Sequence, residues 1–364
     1  MSSVKSFRGG IHPLHAIGSG KGLTANLPIA EAPAPARVVL PMAQHIGAPC
    51  VPCVAVGDRV LRGQAVGQVR GFVSAPVHAS VSGTVVEIAP HLTMAPCVVI
   101  ENDGKDEWDP DCRPPEGSVD SLSPQDILAR IGEAGVVGMG GAAFPARVKL
   151  SPPGDKKIDF LLLNGAECEP YLSADHRLML EEGARILEGA RYVARALGSP
   201  RVIVGIEANK RDAAEALRAL AAPLGIEVQV LRVKYPQGSE KQLISALTGR
   251  KVPSGGLPMD AGCVVVNVSS AAAIADAVAK GRPVTERVLT VTGAVQTPKN
   301  LRVRIGTPAQ ELIDLCGGLK PEADRVVSGG PMMGVALYDL AVPVVKGTSG
   351  LLALPREQTA PGKL

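Results

Sequence analysis

The sequence predicts a multidomain α/β protein, and three observations support this fold class. At roughly 100 to 200 residues per domain, a chain of 364 residues corresponds to two or three domains that can each bury a core. Short strand patterns separated by turns fill residues 36–100, whereas helix and strand patterns alternate from residue 123 onward. Two strands and a short helix, beginning near residue 287, indicate a small C-terminal β module.

The N-terminal segment is predicted to be an all-β module because its turn signals are closely spaced: Gly-Asp at 57–58, Arg-Gly at 62–63 and Ser-Gly at 82–83. The pair GDRVLRGQ and SGTVVEI resembles the two halves of a barrel-sandwich hybrid, the fold of biotinyl and lipoyl carrier domains. Carrier domains display a modifiable lysine between these halves, and the intervening GFVSAPVHAS contains none. We therefore expect a structural or docking role for this module.

A stretch rich in proline, glycine and acid at 104–122 predicts a linker to a central α/β domain. Ser123 followed by Pro124 favours a helix start. The apolar runs KIDFLLLN, PRVIVGIE and IEVQVLRV alternate with segments of 3.6-residue periodicity. Such runs are typical of buried parallel strands in a doubly wound sheet, where ligands bind beyond the carboxyl ends. NGAECEP, residues 164–170, follows the first run at such an end.

The segment GMGGAAFPARVK, residues 138–149, predicts a loop that admits a flat anionic ligand. Glycines let backbone N–H groups approach a phosphate or a ring edge, and a helix opening after Pro145 adds its positive end. Alone, such a loop is often a tight strand-to-helix turn, but with NGAECEP at this distance it indicates a nucleotide or flavin site. For Glu167 and Glu169 helix capping is the alternative role, and Arg147 is interpreted as a surface charge.

Composition and charge exclude several classes of protein. A well-mixed net charge of +3 and 2% aromatic residues provide neither a basic stripe nor a stacking platform, so no nucleic-acid partner is expected. No apolar run reaches the roughly 18 residues of a membrane span, and the N-terminus lacks a signal-peptide core, so we expect a soluble chain. Seven cysteines fit reduced thiols. Cys50, Cys53, His45 and His78 are interpreted as structural, and no metal site is predicted.

Many motifs, in order along nearly the whole chain, resemble the RnfC family, a component of the Rnf electron-transport complex. They are FRGGIHP (7–13), QHIGAPC (44–50), VAVGDRVLRGQ (54–64), SAPVHASVSGTV (74–85), the glycine loop, NGAECEPYLSADHRLM (164–179), YPQGSEKQLI (235–244), SGGPMMG (328–334) and KGTSGLLAL (346–354). In its middle and later domains this family is similar to the flavin-bearing, NADH-oxidising subunit of respiratory complex I.

The resemblance implies an N-terminal barrel-sandwich hybrid with its linker at 1–115 and a central Rossmann-like α/β flavin domain, binding FMN and NADH, at 116–286. A soluble-ligand-binding β-grasp module at 287–345 and a tail at 346–364 complete the expected layout. The SGGPMMG loop of the β-grasp module is expected either to contact a cofactor or to form a tight turn packed by its two methionines.

The resemblance also implies which residues bind the cofactors, FMN and NAD(H). Thirteen positions match: Gly138, Gly140, Gly141, Phe144, Lys149, Asn164, Glu167, Cys168, Glu169, Gly238, Glu240, Asn267 and Ser270. Phe144 is expected near the adenine, Lys149 near phosphate or ring carbonyl oxygens, and Asn267 with Ser270 at the flavin phosphate. The Glu240 carboxylate is expected to accept ribose hydroxyls and repel a 2′-phosphate. Hydride transfer needs no side-chain acid or base, so no catalytic residue is expected.

The resemblance further implies an electron-input subunit of a membrane-associated NADH:ferredoxin oxidoreductase that is coupled to ion translocation. It would lie peripherally on the cytoplasmic face of the cell membrane, with the other Rnf subunits, NADH and, indirectly, ferredoxin as partners. The family's two [4Fe–4S] clusters need CxxCxxCxxxCP motifs, which are absent before Leu364, so a fragment or relocated clusters are expected. The alternatives are a microcompartment cobalamin reductase with the same flavin fold and a non-catalytic scaffold without flavin.

Overall fold

The computed structural model describes residues 4–12, 20–91 and 95–359. Within these ranges the chain forms seventeen strands: β1 (Ile29–Glu31), β2 (Arg37–Pro41), β3 (Val51–Pro52), β4 (Arg59–Val60), β5 (Ala65–Gln68), β6 (Val77–His78), β7 (Gly83–Pro90), β8 (Pro96–Asn102), β9 (Phe160–Gly165), β10 (Arg201–Glu207), β11 (Glu227–Leu231), β12 (Cys263–Asn267), β13 (Glu286–Gly293), β14 (Lys299–Arg304), β15 (Ala323–Ser328), β16 (Val335–Ala336) and β17 (Gly350–Pro355).

The same ranges contain nine α-helices: α1 (Pro124–Glu133), α2 (Ala146–Lys149), α3 (Ala174–Glu181), α4 (Gly183–Ala196), α5 (Arg211–Ala221), α6 (Glu240–Thr248), α7 (Val268–Lys280), α8 (Ala309–Leu315) and α9 (Arg356–Thr359). Short 3-10 helices lie at Lys21–Leu23, Val119–Ser121, Ala208–Lys210, Ala222–Leu224 and Pro258–Ala261. None of the helices in the described ranges combines the length and apolar character needed to cross a bilayer.

The central domain is built on a four-stranded parallel sheet in the order β11-β10-β9-β12. Leu161 and Leu163 of β9 pack on the side of α1, α4, α5 and α7, whereas Leu162 packs against α6 on the other side. Burial of both faces explains the continuous apolar runs and confirms the prediction of parallel strands. The predicted helix start is also confirmed, because Ser123 and Asp126 form a capping box around Pro124 at the start of α1.

The N-terminal β module and the C-terminal sheet share one hydrophobic core. The module consists of the sheets β2-β8-β7-β4 and β3-β5-β6, and the C-terminal sheet has the order β1-β14-β13-β17-β15-β16. Val38 and Leu40 from the first belong to the same buried cluster as Leu289 and Leu301 from the second. Residues 350–355, which the sequence places in a tail, form β17 between β13 and β15. This pairing depends on partners far away in sequence, which a local pattern does not reveal.

Lys346 lies where the three parts of the chain meet. This lysine is 1% exposed, and its ammonium donates to the carbonyl oxygens of Pro76, at 2.6 Å, and Gly135, at 2.7 Å. Burial lowers the pKa of Lys346 to about 8. His78, also buried, belongs to the same region, and burial together with the Lys346 charge lowers the pKa of His78 to about 3. The junction therefore holds a buried cation beside a neutral imidazole.

Replacing His78 with glutamine is expected to make the protein less sensitive to acid. The unfolded state takes up a proton near pH 6.5 and the folded state only near 3, so the contribution of His78 is present above 6.5 and is lost as the pH falls between these values. At pH 4.5 this corresponds to a loss of about 3 kcal/mol relative to pH 7. Urea unfolding of wild type and His78→Gln at both pH values measures it. Replacement of the exposed His12 is the control, and an equal acid loss in wild type and His78→Gln contradicts the prediction.

Candidate functional site

The strand order of the central sheet reverses beside β9, with β10 and β11 on one side and β12 on the other. Ligands of open α/β sheets bind at such a reversal, beyond the carboxyl ends of the strands. Asn164 near the end of β9 and Asn267 at the end of β12 are register partners there. Asn164 Nδ2 donates to the Gly238 carbonyl oxygen at 2.7 Å, and Asn267 Oδ1 accepts from the Ser269 N–H at 2.8 Å and caps α7.

A cavity of about 90 Å³ lies at this reversal. It is lined by Met139, Gly140, Asn164, Glu167, Cys168, Glu169, Leu172, Ala174, Asp175, Gly238, Asn267, Arg287 and Ser349. Seven of the thirteen positions expected to bind cofactors are in this lining: Gly140, Asn164, Glu167, Cys168, Glu169, Gly238 and Asn267. A larger open cleft of about 490 Å³ lies beside Asp159 and Gly262, at the amino ends of β9 and β12, and contains none of the thirteen. Convergence of separate motifs, and not volume, identifies the candidate site.

The glycine loop closes on itself and leaves one position open. The Gly138 N–H donates to the Phe144 carbonyl oxygen at 2.9 Å, which closes the loop at its base. A Cβ on Gly140 would lie 2.3 Å from Asn267 Nδ2, so this glycine permits close packing between the loop and the end of β12. A Cβ on Gly141 would meet no atom within 4 Å. Gly141 is therefore the loop position that faces open space.

The remaining predicted residues lie outside the cavity lining. Ser270 supports the loop from behind, because its hydroxyl accepts from the Met139 N–H at 2.8 Å and donates to the Val137 carbonyl oxygen at 2.9 Å. Lys149 is paired with the Glu240 carboxylate and donates to the Val265 carbonyl oxygen at 2.9 Å. The structure thus joins the two charges that the resemblance assigns to separate cofactor groups.

Glu167 both lines the cavity and caps a helix. Its carboxylate accepts from the backbone N–H groups of Asp175, at 2.7 Å, and His176, at 3.3 Å, at the start of α3. Its backbone has φ of 45°, a left-handed conformation that is uncommon for a residue other than glycine. Burial raises the pKa of Glu167 to about 7, although the Lys21 ammonium, 3.7 Å away, opposes this shift. The capping alternative is therefore observed, at a carboxylate that also borders the cavity.

Glu169 connects the cavity to the C-terminal sheet. Its Oε2 atom accepts from the Met332 N–H at 3.0 Å, and its Oε1 atom is buried without a hydrogen-bond partner. A Cβ on Gly330 would lie 2.2 Å from Oε2, so a glycine is needed for the approach of the SGGPMMG loop. Burial raises the pKa of Glu169. The loop thus packs on a wall of the site through this carboxylate.

Two buried lysines hold that wall from behind, and sequence reasoning missed both. Lys21 Nζ donates to the Glu167 carbonyl oxygen at 2.9 Å, and Lys210 Nζ donates to the Ala166 carbonyl oxygen at 2.7 Å. Burial lowers the pKa of Lys21 to about 8. Lys210 also lies 3.4 Å from the buried Glu207 carboxylate. NGAECEP is therefore fixed by charged groups from distant parts of the chain.

Asp175 and Arg287 are cavity residues that the sequence did not single out. The Asp175 carboxylate accepts from Asn267 Nδ2 at 2.7 Å and from Ser269 Oγ at 2.6 Å. Arg287 is 3% exposed and lies in the otherwise apolar strand pattern of β13, which was the only sequence signal for it. No group of three or more His, Cys, Asp or Glu side chains within residues 4–12, 20–91 and 95–359 is arranged to hold a metal ion.

Comparison with protein families gives three matches in the order of these modules. The RnfC barrel sandwich hybrid domain matches residues 5–105, the Nuo51 FMN-binding domain matches 131–276, and the SLBB domain matches 288–336. A solved structure of an NAD+-reducing [NiFe]-hydrogenase in the air-oxidised state is similar over 65% of this chain and 50% of its own, with a TM-score of 0.54 and 22% identity. That likeness concerns the fold alone. The sheet, its glycine loop and the family match define an α/β protein with an FMN-binding domain of the Nuo51 type.

Curated relatives specify the family further. The C-type subunit of the proton-translocating ferredoxin:NAD+ oxidoreductase complex of Clostridium ljungdahlii is 49% identical over 99% of this chain and 79% of its own length. Its Na+-translocating counterpart from Acetobacterium woodii is 49% identical over 97% and 80%. The corresponding subunit of the ion-translocating oxidoreductase complex of Rhodobacter capsulatus is 44% identical over 98% and 70%. The chain belongs to this family, the RnfC subunits of ion-translocating ferredoxin:NAD+ oxidoreductase (Rnf) complexes.

Proposed function

We propose that the cavity receives the edge of an FMN ring, that NAD(H) binds against it, and that the chain is the electron-input subunit of a membrane-associated NADH:ferredoxin oxidoreductase coupled to ion translocation. The observation that carries this proposal is the convergence of the glycine loop, NGAECEP and Asn267 at the reversal of the sheet order. The names of the relatives, which are proton- or sodium-translocating ferredoxin:NAD+ oxidoreductase subunits, support the reaction.

The residues at the site fit a flavin in three respects. Gly141 faces open space, Glu169 Oε1 is a buried acceptor without a partner, and Asn267 stands at the N-terminus of α7. The volume of about 90 Å³ takes one edge of a ring system, below the roughly 300 to 1,000 Å³ of a whole ligand pocket. The remainder of the cofactor is therefore placed over the exposed Gly140 and Gly141.

When bound, FMN supplies the conversion of a two-electron hydride donor into single-electron steps. The chain's own residues bind and orient: Asn164 and Asn267 hold the strand ends in register, and Glu240 selects the ribose of the nucleotide. The outer modules, a barrel-sandwich hybrid and a β-grasp unit, brace the flavin domain in this proposal. Electrons then continue to the [4Fe–4S] clusters expected of the family and to membrane partners on the cytoplasmic face.

The visible spectrum of the purified chain tests this function. After incubation with FMN and removal of the excess, the protein is expected to retain flavin bands that bleach on addition of NADH under exclusion of oxygen. It is also expected to reduce ferricyanide with NADH. A protein that stays colourless after incubation with FMN and reduces no ferricyanide contradicts the proposal and supports a scaffold role.

Replacing Glu240 with glutamine is expected to weaken the discrimination between NADH and NADPH. The change removes a carboxylate that repels a 2′-phosphate and leaves the Lys149 ammonium without its ion-pair partner. We expect the ratio of kcat/KM for NADH to that for NADPH to fall by about tenfold, equal to about 1.4 kcal/mol. Glu227→Gln, which removes an exposed carboxylate paired with Arg201 at the other edge of the sheet, is the control. An unchanged ratio in Glu240→Gln places the ribose elsewhere.

A further inference from the structure

The guanidinium of Arg287 is buried at the cavity without a carboxylate partner. It comes from β13 of the C-terminal sheet, is 3% exposed and lines the cavity between the glycine loop and the NGAECEP wall. Arg287 forms no ion pair within 4.0 Å among the residues that the structure describes, although Asp175 lies close enough to favour its charged form. Burial lowers the pKa of Arg287 to about 10, which reflects the cost of keeping this cation out of water.

The hydrogen bonds of Arg287 satisfy only part of its donor capacity. Nη1 donates to the Lys346 carbonyl oxygen at 2.6 Å, and Nε donates to the carbonyl oxygen of its neighbour Val288 at 3.2 Å. The Met139 carbonyl oxygen is shared by Nη1 and Nη2, each at 3.4 Å, which is a long contact. A guanidinium has five N–H donors, so the three carbonyl acceptors leave it able to bind an acceptor in the cavity.

We propose that Arg287 is a positioning residue that receives the negative charge developing on the pyrimidine side of FMN when the flavin is reduced. This inference rests on the proposed FMN site. A fixed cation in a water-poor cavity stabilises charge more strongly than it would in solvent, and it stabilises the reduced flavin more than the neutral oxidised one. Because Arg287 belongs to the C-terminal sheet, that module contributes directly to the flavin site.

Replacement of Arg287 by methionine, which keeps length and removes charge, tests the proposal. Affinity for FMN is measured by fluorescence in the oxidised and reduced states, and the midpoint potential by spectroelectrochemistry. Reduced FMN is expected to lose at least about tenfold more affinity than oxidised FMN, which corresponds to a two-electron midpoint potential lower by about 30 mV. Arg287→Lys, which keeps the charge, is expected to restore most of the potential. Arg304→Met is the control, since Arg304 pairs with Glu286 and Asp106 instead of lining the cavity.

Each other result overturns the inference. Equal weakening of both redox states, with an unchanged midpoint potential, assigns Arg287 to the FMN phosphate or to the fold. If Arg287→Met does not fold, sulfite titration of the wild-type holoprotein decides, because a cation near the pyrimidine ring favours the anionic sulfite adduct. Bleaching of the flavin at millimolar sulfite supports the proposal, and resistance contradicts it. Failure of the proposed function itself is distinguishable, because the wild type would then retain no FMN.

Discussion

Replacing Gly141 with phenylalanine is expected to abolish FMN binding while the fold is retained. A Cβ at this position meets no atom within 4 Å, and the φ of Gly141 lies outside the left-handed region, so the chain accepts a side chain there. The phenyl ring then occupies the open space above the loop that the proposal assigns to the flavin. We expect the Kd for FMN to rise by about 100-fold or more, equal to about 2.8 kcal/mol or more. Titration with FMN, followed by fluorescence, measures the change.

Gly154→Phe provides a matched control for this substitution. Gly154 also has open space around its Cβ position and a φ outside the left-handed region, but it lies in the loop before β9, at the opposite edge of the sheet from the cavity. Its replacement is expected to leave both the melting temperature and FMN binding unchanged. Wild-type affinity in Gly141→Phe would exclude the glycine loop from the flavin site. A loss of affinity in both variants would indicate general damage.

Replacing Lys21 with methionine is expected to cause the largest loss of stability. The change leaves the buried Glu167 carboxylate without the ammonium 3.7 Å away and removes the donors to the carbonyl oxygens of Glu167 and Leu172. Breaking a buried ion pair by removing one partner costs about 3 to 5 kcal/mol. Urea unfolding measures the difference from wild type. Lys280→Met, which removes an exposed partner of Asp276, is the control and is expected to cost less than about 0.5 kcal/mol.

The loss in Lys21→Met is expected to depend on pH. Burial already raises the pKa of Glu167 to about 7 from 4.5, and removal of Lys21 raises it further. A raised carboxyl pKa contributes stability below 4.5 that is lost as the pH rises through the folded value, so the variant loses more at pH 8 than at pH 5. The second change Glu167→Gln removes the charge and is expected to restore much of the loss. Equal losses at both pH values would show that Lys21 acts through its hydrogen bonds alone.

Much of the fold could be predicted because it follows from local periodicity. The apolar runs of β9, β10 and β11 and the Ser123 helix start are confirmed by the parallel sheet and the capping box. The assignment of residues 350–355 to a tail failed, because an isolated apolar run carries no information about its partners. These residues form β17 in the middle of a six-stranded sheet, paired with β13 and β15.

The candidate site divides in the same way. Gly140, Asn164, Glu167 and Asn267 come from motifs whose spacing can be recognised, and they line one cavity. Lys149 and Glu240 come from equally recognisable motifs but neutralise each other outside the lining, because side-chain pairing is decided by three-dimensional proximity.

The sequence by itself determined the order of modules, the alternation of strands and helices, and the glycine-rich loop beside NGAECEP. These features depend on backbone conformations and periodicities that neighbouring residues impose. Only the tertiary structure decided that Lys21, 146 positions away from Glu167, holds the wall of the cavity and that Arg287 reaches it from the C-terminal sheet. The physical reason is that buried charges acquire their partners, and their altered pKa values, from sheet order and packing between segments that are distant in the chain.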